Sequence, residues 1–351
     1  QQIILHLLNF AILAGGLYFL LYHPVRKFMD QREEHYRQME NEAQQRLDQA
    51  KATVFADPRI SSVNRNKEII RLVRIARGMN VNKVRLTGGE PFARRDFDKL
   101  LLGLRENFPD LNLRITSNGT LMGPHIPVLK QARINAVNLS IDSFRPETFA
   151  RVTGHDLLGK VTETLDALLD AGIRTKINAV AMRGINDHDL PAFLDIIRRL
   201  PIDVRFIEFM PMGSGTVWSQ NRFWSADDIL RDVRKLAHIE PVAQDGFDHG
   251  PASMYTVEGC RGRLGVITAL SNHFCKTCNR LRITSDGHLR TCLFSDKMYP
   301  LRGLLRNPEV TDGDIAAEIR RAITEKPIGN ELLKARRGRA VASGQMDSIG
   351  G

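Results

Sequence analysis

The stretch that decides the fold is KVRLTGGEP at Lys83–Pro91, where a short β-forming run ends in two glycines, an acid and a proline. Similar runs recur along the chain, and helical patterns lie between them. The predicted strands are Lys83–Thr87, Asn112–Thr116, Ala136–Ile141, Thr175–Ala179 and Val204–Phe209, and the predicted helices include Lys67–Arg77, Leu158–Ala171 and Asp187–Arg199. Strands that alternate with helices predict an α/β fold with a parallel sheet and crossover helices.

Polar groups stand where each predicted strand ends. They are Thr87–Pro91, Thr116–Gly119, Ser140 with Asp142, Lys176 with Asn178, and Glu208 with Met210. In barrels of parallel strands the active site lies at the carboxyl ends of the strands, so we expect these groups to line one mouth. The glycine pair fits both a tight turn and a close approach of the backbone to a ligand.

Three of the four cysteines form a metal-binding pattern, with Cys275 and Cys278 three residues apart and Cys292 returning later. Two thiolates at this spacing can reach one metal centre, and a third completes a face. A redox disulfide is disfavoured because that motif normally opens a helix after a strand. The nature of the metal stays open, since a structural zinc site would need only a fourth ligand, and the candidates are Cys260, His273 and His288.

Two arginines follow the second cysteine on alternate residues, Arg280 and Arg282. On a strand such residues face one side, where they suit phosphate or carboxylate oxygens. A solvated strand face is the alternative interpretation.

The first segment of the chain has a different character. Ile3–Tyr22 contains no Asp, Glu, Lys or Arg, and about twenty apolar residues can span a bilayer as a helix. Arg26 and Lys27 follow directly, so the positive-inside rule places the rest of the chain on the cytoplasmic side. We therefore expect a membrane anchor through residues 3–22.

Residues 25–53 are rich in Gln, Glu and Arg and lack Gly and Pro, which predicts a charged helix. With the apolar segment and the junction HPVRKFMDQRE at residues 23–33, they resemble the b subunit of bacterial F-type ATP synthase. In that family this segment anchors a peripheral stalk and catalyses nothing.

Composition sets the outer limits. The 351 residues are 42% hydrophobic and 26% charged, with four cysteines, which excludes a disordered chain and a disulfide scaffold. The net charge of +10 suits a phosphate-bearing ligand, a nucleic acid or an anionic membrane surface.

Six motifs together resemble GTP 3′,8-cyclase, the radical S-adenosylmethionine enzyme that opens molybdenum cofactor (molybdopterin) biosynthesis. They are LTGGEP (Leu86–Pro91), TSNG (Thr116–Gly119), NLSIDS (Asn138–Ser143), RFIEFMPMG (Arg205–Gly213), FCKTCNRLRITSDGHLRTCLFS (Phe274–Ser295) and the terminal Ile349–Gly351. The resemblance implies an incomplete (βα)6 TIM-like barrel with a C-terminal iron–sulfur domain that closes its mouth. In the family, radical chemistry converts GTP to 3′,8-cyclo-7,8-dihydro-GTP.

The resemblance also implies site residues. A [4Fe–4S] cluster would be held by Cys275, Cys278 and Cys292. GTP would be bound by Arg85, Thr116, Lys176, Arg280, Leu281 and Arg282, and a mobile tail with Gly350 and Gly351 would enter the site. S-adenosylmethionine would be bound by Gly88, Gly89, Glu90, Ser140 and Met210. A triphosphate ligand accounts for the basic charge, so we expect no nucleic acid partner, and the implied partner is the next pterin synthase of the pathway.

One part of the family pattern is missing. The family carries a CxxxCxxC triplet on its first βα loop, whereas this chain has no cysteine before Cys260. We therefore expect a barrel without its first βα unit, one cluster instead of two, and no cleavage of S-adenosylmethionine. The strand edges left exposed favour a homodimer.

The expected organisation is a transmembrane helix at 1–24, a charged stalk-like helix at 25–53, a junction at 54–65, a partial barrel at 66–240 and a cluster and GTP-binding region at 241–351. Two alternatives stand beside a GTP 3′,8-cyclase-like protein. One is a non-catalytic, membrane-tethered protein that binds GTP and one metal centre. The other is a stalk-like structural fusion with the barrel as a passenger.

Overall fold

A computed structural model of the chain describes residues 62–212, 218–243, 250–272, 275 and 278–335. In this part the main sheet consists of β1 Lys83–Leu86, β2 Asn112–Ser117, β3 Ala136–Ser140, β4 Thr175–Ala181, β5 Asp203–Glu208, β6 Ile239–Pro241, β7 Ser253–Val257 and β8 Arg263–Ile267. Their order across the sheet is β1-β2-β3-β4-β5-β8-β7-β6. The block from β1 to β8 is parallel, and β7 and β6 extend it antiparallel. The predicted α/β fold with a parallel sheet is confirmed.

Amphipathic helices cover the apolar face of this sheet. They are α1 Ser62–Arg77, α2 Phe97–Asn107, α3 Ile126–Gln131, α4 Pro146–Thr153, α5 Leu158–Asp170, α6 Leu190–Arg199 and α7 Ala226–Arg234. In α5 the buried Leu158, Val161, Leu165 and Leu168 recur at helical spacing and form one stripe. Each such side chain stabilises the fold by about 1.5–3 kcal/mol when fully buried.

A smaller C-terminal layer packs against α1. It contains the antiparallel strands β9 Arg282–Ile283, β10 His288–Arg290 and β11 Tyr299–Pro300, and the helices α8 Arg302–Arg306, α9 Asp312–Thr324 and α10 Gly329–Ala335. Its core joins Ile75 of α1 to Leu289, Tyr299, Leu301 and Ile319. The cysteine region is thereby attached to the same body as the parallel sheet.

The five predicted strands are all present, with ends that differ by one or two residues at most. The predicted helix at Asp187–Arg199 divides into a 3₁₀ turn at Asp187–Asp189 and α6. Strand β8 was not predicted, although it is the sixth parallel strand and lies beside β5. Its pairing depends on contacts distant in sequence, which local patterns do not reveal.

The expected membrane anchoring is corrected here. Among the helices of the described residues, none combines the length and the apolar character that a membrane span requires. Residues 3–22, which carried the expectation, lie outside the described residues, as do the stalk-like segment and most of the junction. The domain boundaries stay predictions.

Candidate functional site

Strand residues alternate between the two faces of a sheet. One face of the parallel sheet packs against the helices, and the opposite face carries polar side chains. Strand register places Arg85 beside Arg114, Thr116 beside Asn138, and Asn178 beside Arg205. Their neighbours in sequence, such as Ile115 and Phe206, are buried in the main core. One face of successive strands therefore carries polar side chains, in addition to the polar groups predicted at the strand ends.

Three of these side chains, Arg85, Arg114 and Arg205, together with Arg280 from the segment after Cys278, make up what we call the arginine field. Burial, together with the charges of the other three arginines, lowers the pKa of Arg85 to about 10. Arg85 Nη1 donates a hydrogen bond to Thr116 Oγ1 at 3.2 Å, so these two predicted GTP ligands lie together. Clustered guanidinium groups of this kind favour an anion with several oxygens.

Sequence reasoning missed two members of the arginine field, Arg114 and Arg205, of which Arg205 is the more informative. It is 7% exposed, and its Nε and Nη2 have no hydrogen-bond partner among the described residues. Burial lowers its pKa to about 10, against the opposing effect of Asp203. A buried donor without a partner costs about 1–3 kcal/mol, and more when it is charged. The sequence signal was an arginine between the apolar Val204 and Phe206 of β5.

Lys176, another predicted GTP ligand, forms an ion pair on the same face. Its Nζ lies 2.8 Å from Asp203 Oδ2, and Arg263 binds both oxygens of that carboxylate at 2.9 and 3.2 Å. Burial would raise the pKa of Asp203, but the hydrogen bonds from Arg263 and Lys176 hold it below its ordinary value. Lys176 is therefore half of an ion pair that leaves some of its three donors for a ligand.

The loop after β1 is organised by Glu90. Its carboxylate accepts hydrogen bonds from Ser117 Oγ at 2.9 and 3.0 Å, from the Asn118 N–H at 2.9 Å and from the Phe92 N–H at 3.1 Å. Glu90 thus joins the TGGEP and TSNG loops, and its predicted contact with S-adenosylmethionine stays a prediction. Gly88 has a φ of 143°, and a Cβ on it or on Gly89 would meet no atom within 4 Å. The glycine pair therefore borders open space.

The other residues expected to bind S-adenosylmethionine lie at the ends of neighbouring strands. Ser140 is exposed at the end of β3, opposite Asn178 of β4. Met210 follows β5 and packs with Met212 against Cys292 and Phe294. The end of β5 therefore approaches the cysteine region.

Glu208 lies at the same strand end but faces protein N–H groups. It is 1% exposed, and it accepts hydrogen bonds from the N–H groups of Ala226 (2.9 Å), Leu270 (2.7 Å) and Ser271 (2.9 Å). It holds the loop that leads towards Cys275, so its role is to place the cysteine segment.

The three cysteines border one space. A Cβ on Gly329 would lie 3.1 Å from Cys292 Sγ and 3.4 Å from Cys275 Sγ, so both sulfurs face the glycine. Burial raises the pKa of the Cys292 thiol, and the charges of Cys275 and Cys278 add to that rise. In the described part of the chain no three Cys, His, Asp or Glu side chains form a closed metal-binding group. The Sγ atoms of Cys275 and Cys292 thus lie beside one glycine, and thiolates can bind either an iron–sulfur cluster or zinc.

Cys278 lies in a more basic environment than Cys292. Burial would raise its pKa, but the backbone N–H and the charge of Arg280, together with the charge of Lys326, lower it. Arg282 is a neighbour as well: burial and Arg280 lower its pKa to about 10, and Cys278 and Cys292 oppose that change. The cysteine site and the arginine field are therefore contiguous.

The remaining predicted residues are spread over three environments. Leu281 packs against the C-terminal core. Of the possible fourth metal ligands, Cys260 packs against the main core, His288 Nδ1 lies 2.9 Å from Asp286 Oδ2, and His273 lies outside the described residues. The tail with Gly350 and Gly351 also lies outside them.

Two family models match the chain, one over the strands that carry Arg85 and Lys176 and one over the region that carries the three cysteines. The model of the radical SAM superfamily matches residues 49–197, and that of Molybdenum Cofactor Synthesis C matches residues 202–332. A GTP 3′,8-cyclase of Syntrophomonas wolfei is 38% identical over 267 residues, which are 76% of this chain and 81% of that protein. One of Stenotrophomonas maltophilia is 37% identical and covers 81% of this chain and 86% of its own.

Among solved structures, SuiB of Streptococcus suis has a similar fold. Its TM-score is 0.54 at 14% identity, over 79% of this chain and 69% of SuiB. None of these matches supports the resemblance of residues 1–53 to the ATP synthase b subunit.

Proposed function

The chain belongs to the GTP 3′,8-cyclase family, and from this membership we propose that its described part binds GTP beside one iron–sulfur cluster. Members of this family act in molybdenum cofactor biosynthesis, use radical SAM chemistry and take GTP as their substrate. For this chain we propose the substrate-binding half of that activity, carried out by the arginine field and the three cysteines.

The observation that carries the proposal is the arginine field with the unpartnered donors of Arg205. Arg205 Nε and Nη2 are buried with no acceptor among the described residues, and the charges of Arg114 and Arg280 contribute to the lowered pKa of Arg85. Triphosphate oxygens would offset this positive charge and supply the acceptors. Thr116, Lys176 and Arg282 border the same region and complete the binding set.

The cysteines fit a [4Fe–4S] cluster. Cys275 and Cys292 face the space that Gly329 leaves open, and Cys278 lies in a basic environment that favours its thiolate. When bound, the cluster would supply one iron without a protein ligand as a contact for the guanine ring. The chain's own residues would orient GTP and keep water from its base, the task of Met210, Met212 and Phe294 around Cys292.

We also propose that the chain does not start the radical reaction. Gly88, Gly89, Ser140 and Met210 are the groups that would hold S-adenosylmethionine, but no cysteine precedes Cys260 to ligate a second cluster. The barrel would accordingly lack its first βα unit. The homodimer, the Gly350–Gly351 tail and the contact with the next pterin synthase belong to the same set of proposals.

The test is anaerobic reconstitution of the full chain, with calorimetric titration of GTP. We expect about four irons per chain, as for a single [4Fe–4S] cluster, GTP binding that is tighter with the cluster present, and no 5′-deoxyadenosine when dithionite and S-adenosylmethionine are added. A chain with Cys275, Cys278 and Cys292 all changed to Ser is the control.

Three results would contradict the proposal. About eight irons per chain, or 5′-deoxyadenosine formation, would restore the complete family chemistry. A stable stoichiometric zinc ion that excludes iron would make the cysteine site structural. An unchanged GTP affinity in the triple-serine chain would show that GTP binding does not depend on the cysteine site.

A further inference from the structure

The connector between α9 and α10 covers the cysteine site, and one lysine in it touches the metal-binding loop. Lys326 is half-buried, and its Nζ donates hydrogen bonds to the carbonyl oxygens of Cys278 at 2.7 Å and Arg280 at 3.1 Å. The same nitrogen lies 3.6 Å from Cys278 Sγ. A single ammonium group therefore contacts a cysteine of the cluster site and the backbone of the arginine field.

These three contacts match the three donors of a lysine ammonium group. Two of them fix the backbone on both sides of Asn279, which separates the cysteine from the arginine. The third directs positive charge at a sulfur that would be negative in a metal thiolate. Because the group is half-buried, this charge is screened less than a surface charge would be.

No carboxylate neutralises Lys326 in the described part of the chain. The nearest acid in sequence, Glu325, accepts hydrogen bonds from Tyr299 Oη at 2.9 Å and from Lys297 Nζ at 2.6 Å. Arg321 Nη1 also lies 3.3 Å from Glu325. Among the described residues, the ammonium group of Lys326 therefore makes its contacts with the Cys278–Arg280 segment.

The connector also ends on Gly329, whose missing side chain leaves the space in front of Cys275 and Cys292. Lys326 and Gly329 lie three positions apart and serve the same site from one side. One supplies charge and backbone contacts, and the other supplies room.

We propose that Lys326 is a positioning residue for the iron–sulfur cluster. It holds the Cys278–Arg280 backbone in the conformation that serves both cluster and GTP, and its ammonium group stabilises the reduced, more negative cluster. The inference rests on the proposed cluster at Cys275, Cys278 and Cys292.

The test compares the reconstituted full chain with its Lys326→Met and Lys326→Arg variants. Lys326→Met keeps an apolar stem without charge, Lys326→Arg keeps the charge, and Lys235→Met removes an exposed lysine elsewhere as a control. Iron and sulfide content and the midpoint potential of the cluster are measured for each. We expect Lys326→Met to shift the potential to more negative values, because reduction adds negative charge beside a lost positive charge. Lys326→Arg and Lys235→Met should stay near the unchanged chain.

The outcomes distinguish a failure of the proposed function from a failure of the role proposed for Lys326. If the unchanged chain assembles no iron–sulfur cluster, the proposed function itself is wrong. If it assembles the cluster and Lys326→Met has the same iron content and potential, only the role of Lys326 is overturned. If Lys326→Met loses the cluster, Lys326→Arg decides: retention of iron supports the charge, and loss of iron in both variants overturns it.

Discussion

At the residue scale, Arg205 shows how a binding group differs from a structural one. The buried Arg105 donates to the carbonyl oxygens of Ala132 (2.8 Å), Pro109 (2.6 Å) and Arg133 (2.9 Å). Arg205 is buried to the same degree but has two nitrogens without a partner among the described residues. A buried guanidinium group whose N–H donors all have acceptors stabilises the fold. A buried guanidinium group that keeps donors without acceptors is suited to binding a ligand.

Replacing Arg205 should therefore separate binding from stability. We expect Arg205→Met to weaken GTP binding by about 10- to 100-fold, because charge-assisted hydrogen bonds are lost. The free energy of unfolding should stay equal or rise, since Met fills the stem's space without buried donors. Calorimetry and urea unfolding measure the two effects, with Arg198→Met, at an exposed position of α6, as the control. A loss of stability that matches the loss of affinity would assign Arg205 to the fold.

Asp142 predicts a pH dependence at the same scale. It follows β3, and its Oδ1 accepts a hydrogen bond from the Val180 N–H at 2.7 Å. Burial raises its pKa to about 6, although the Val180 hydrogen bond acts in the opposite direction. The folded chain thus binds this proton more tightly than the unfolded chain, whose Asp has a pKa of about 3.9.

The contribution of Asp142 to stability should accordingly fall as pH rises from about 4 to about 6, by at most about 3 kcal/mol. Asp142→Asn keeps the oxygen acceptor and removes the charge, so its stability should decline less over this range than that of the unchanged chain. Urea unfolding at several pH values measures this, with the exposed Asp166→Asn as the control. Parallel pH profiles for all three chains would place Asp142 in a solvated environment.

At the element scale, the insertion of β8 beside β5 shapes the arginine field. A Cβ on Gly265 would lie 3.0 Å from Arg205 Cγ and 2.6 Å from Met254 Sδ. The glycine therefore admits the arginine stem between two strands. The N–H of Gly262, directly before this strand, donates to Ile197 O at 2.8 Å, and the N–H of Arg263, its first residue, donates to Ile202 O at 3.0 Å.

Gly262, directly before β8, should tolerate substitution least in this part of the sheet. A Cβ there would lie 2.2 Å from Ile202 O and 2.8 Å from Leu200 O, both of them backbone atoms that cannot move aside cheaply. We expect Gly262→Ala to destabilise the chain by about 3 kcal/mol through overpacking. Gly303→Ala in α8, where a Cβ meets no atom within 4 Å, should be neutral or slightly stabilising. Thermal unfolding compares the two, and equal melting temperatures would contradict the close approach.

At the scale of the whole molecule, the C-terminal layer is attached to the sheet body through α1. Arg71 donates to Leu305 O at 2.9 Å and to Val310 O at 3.0 Å, and it pairs with Asp312 at 2.7 Å. Ile75 buries its side chain in the same interface. The cysteine site and the arginine field can act on one ligand only while this attachment holds.

We expect Arg71→Ala to cost about 2 kcal/mol, because several hydrogen bonds to a charged donor are lost. Hydrogen exchange should rise first in α9, and the reconstituted chain should lose iron faster. Arg320→Ala, on the exposed side of α9, is the control. Unchanged exchange in α9 would show that apolar packing alone joins the two layers.

Local patterns predicted much of the fold, and the reason is visible in single elements. The strand at Asn112–Ser117 alternates half-buried and buried residues, and the stripe of α5 follows helical spacing, so both periodicities are present in the sequence itself. The cysteine spacing likewise pointed to Cys275, Cys278 and Cys292. The expected membrane anchoring was wrong: among the described residues no helix is long and apolar enough to span a membrane.

By itself, the sequence determined the alternation of strands and helices and the membership of the GTP 3′,8-cyclase family, because each depends on motifs whose residues lie close together in the chain. Only the tertiary structure decided how polar groups are used. Glu208 resembles a ligand-binding acid in the sequence, yet its carboxylate accepts three backbone N–H groups, whereas Arg205 keeps two buried nitrogens without a partner among the described residues. The physical reason is that a hydrogen-bonding group is either satisfied or left over according to partners distant in sequence, and only folding brings those partners within reach.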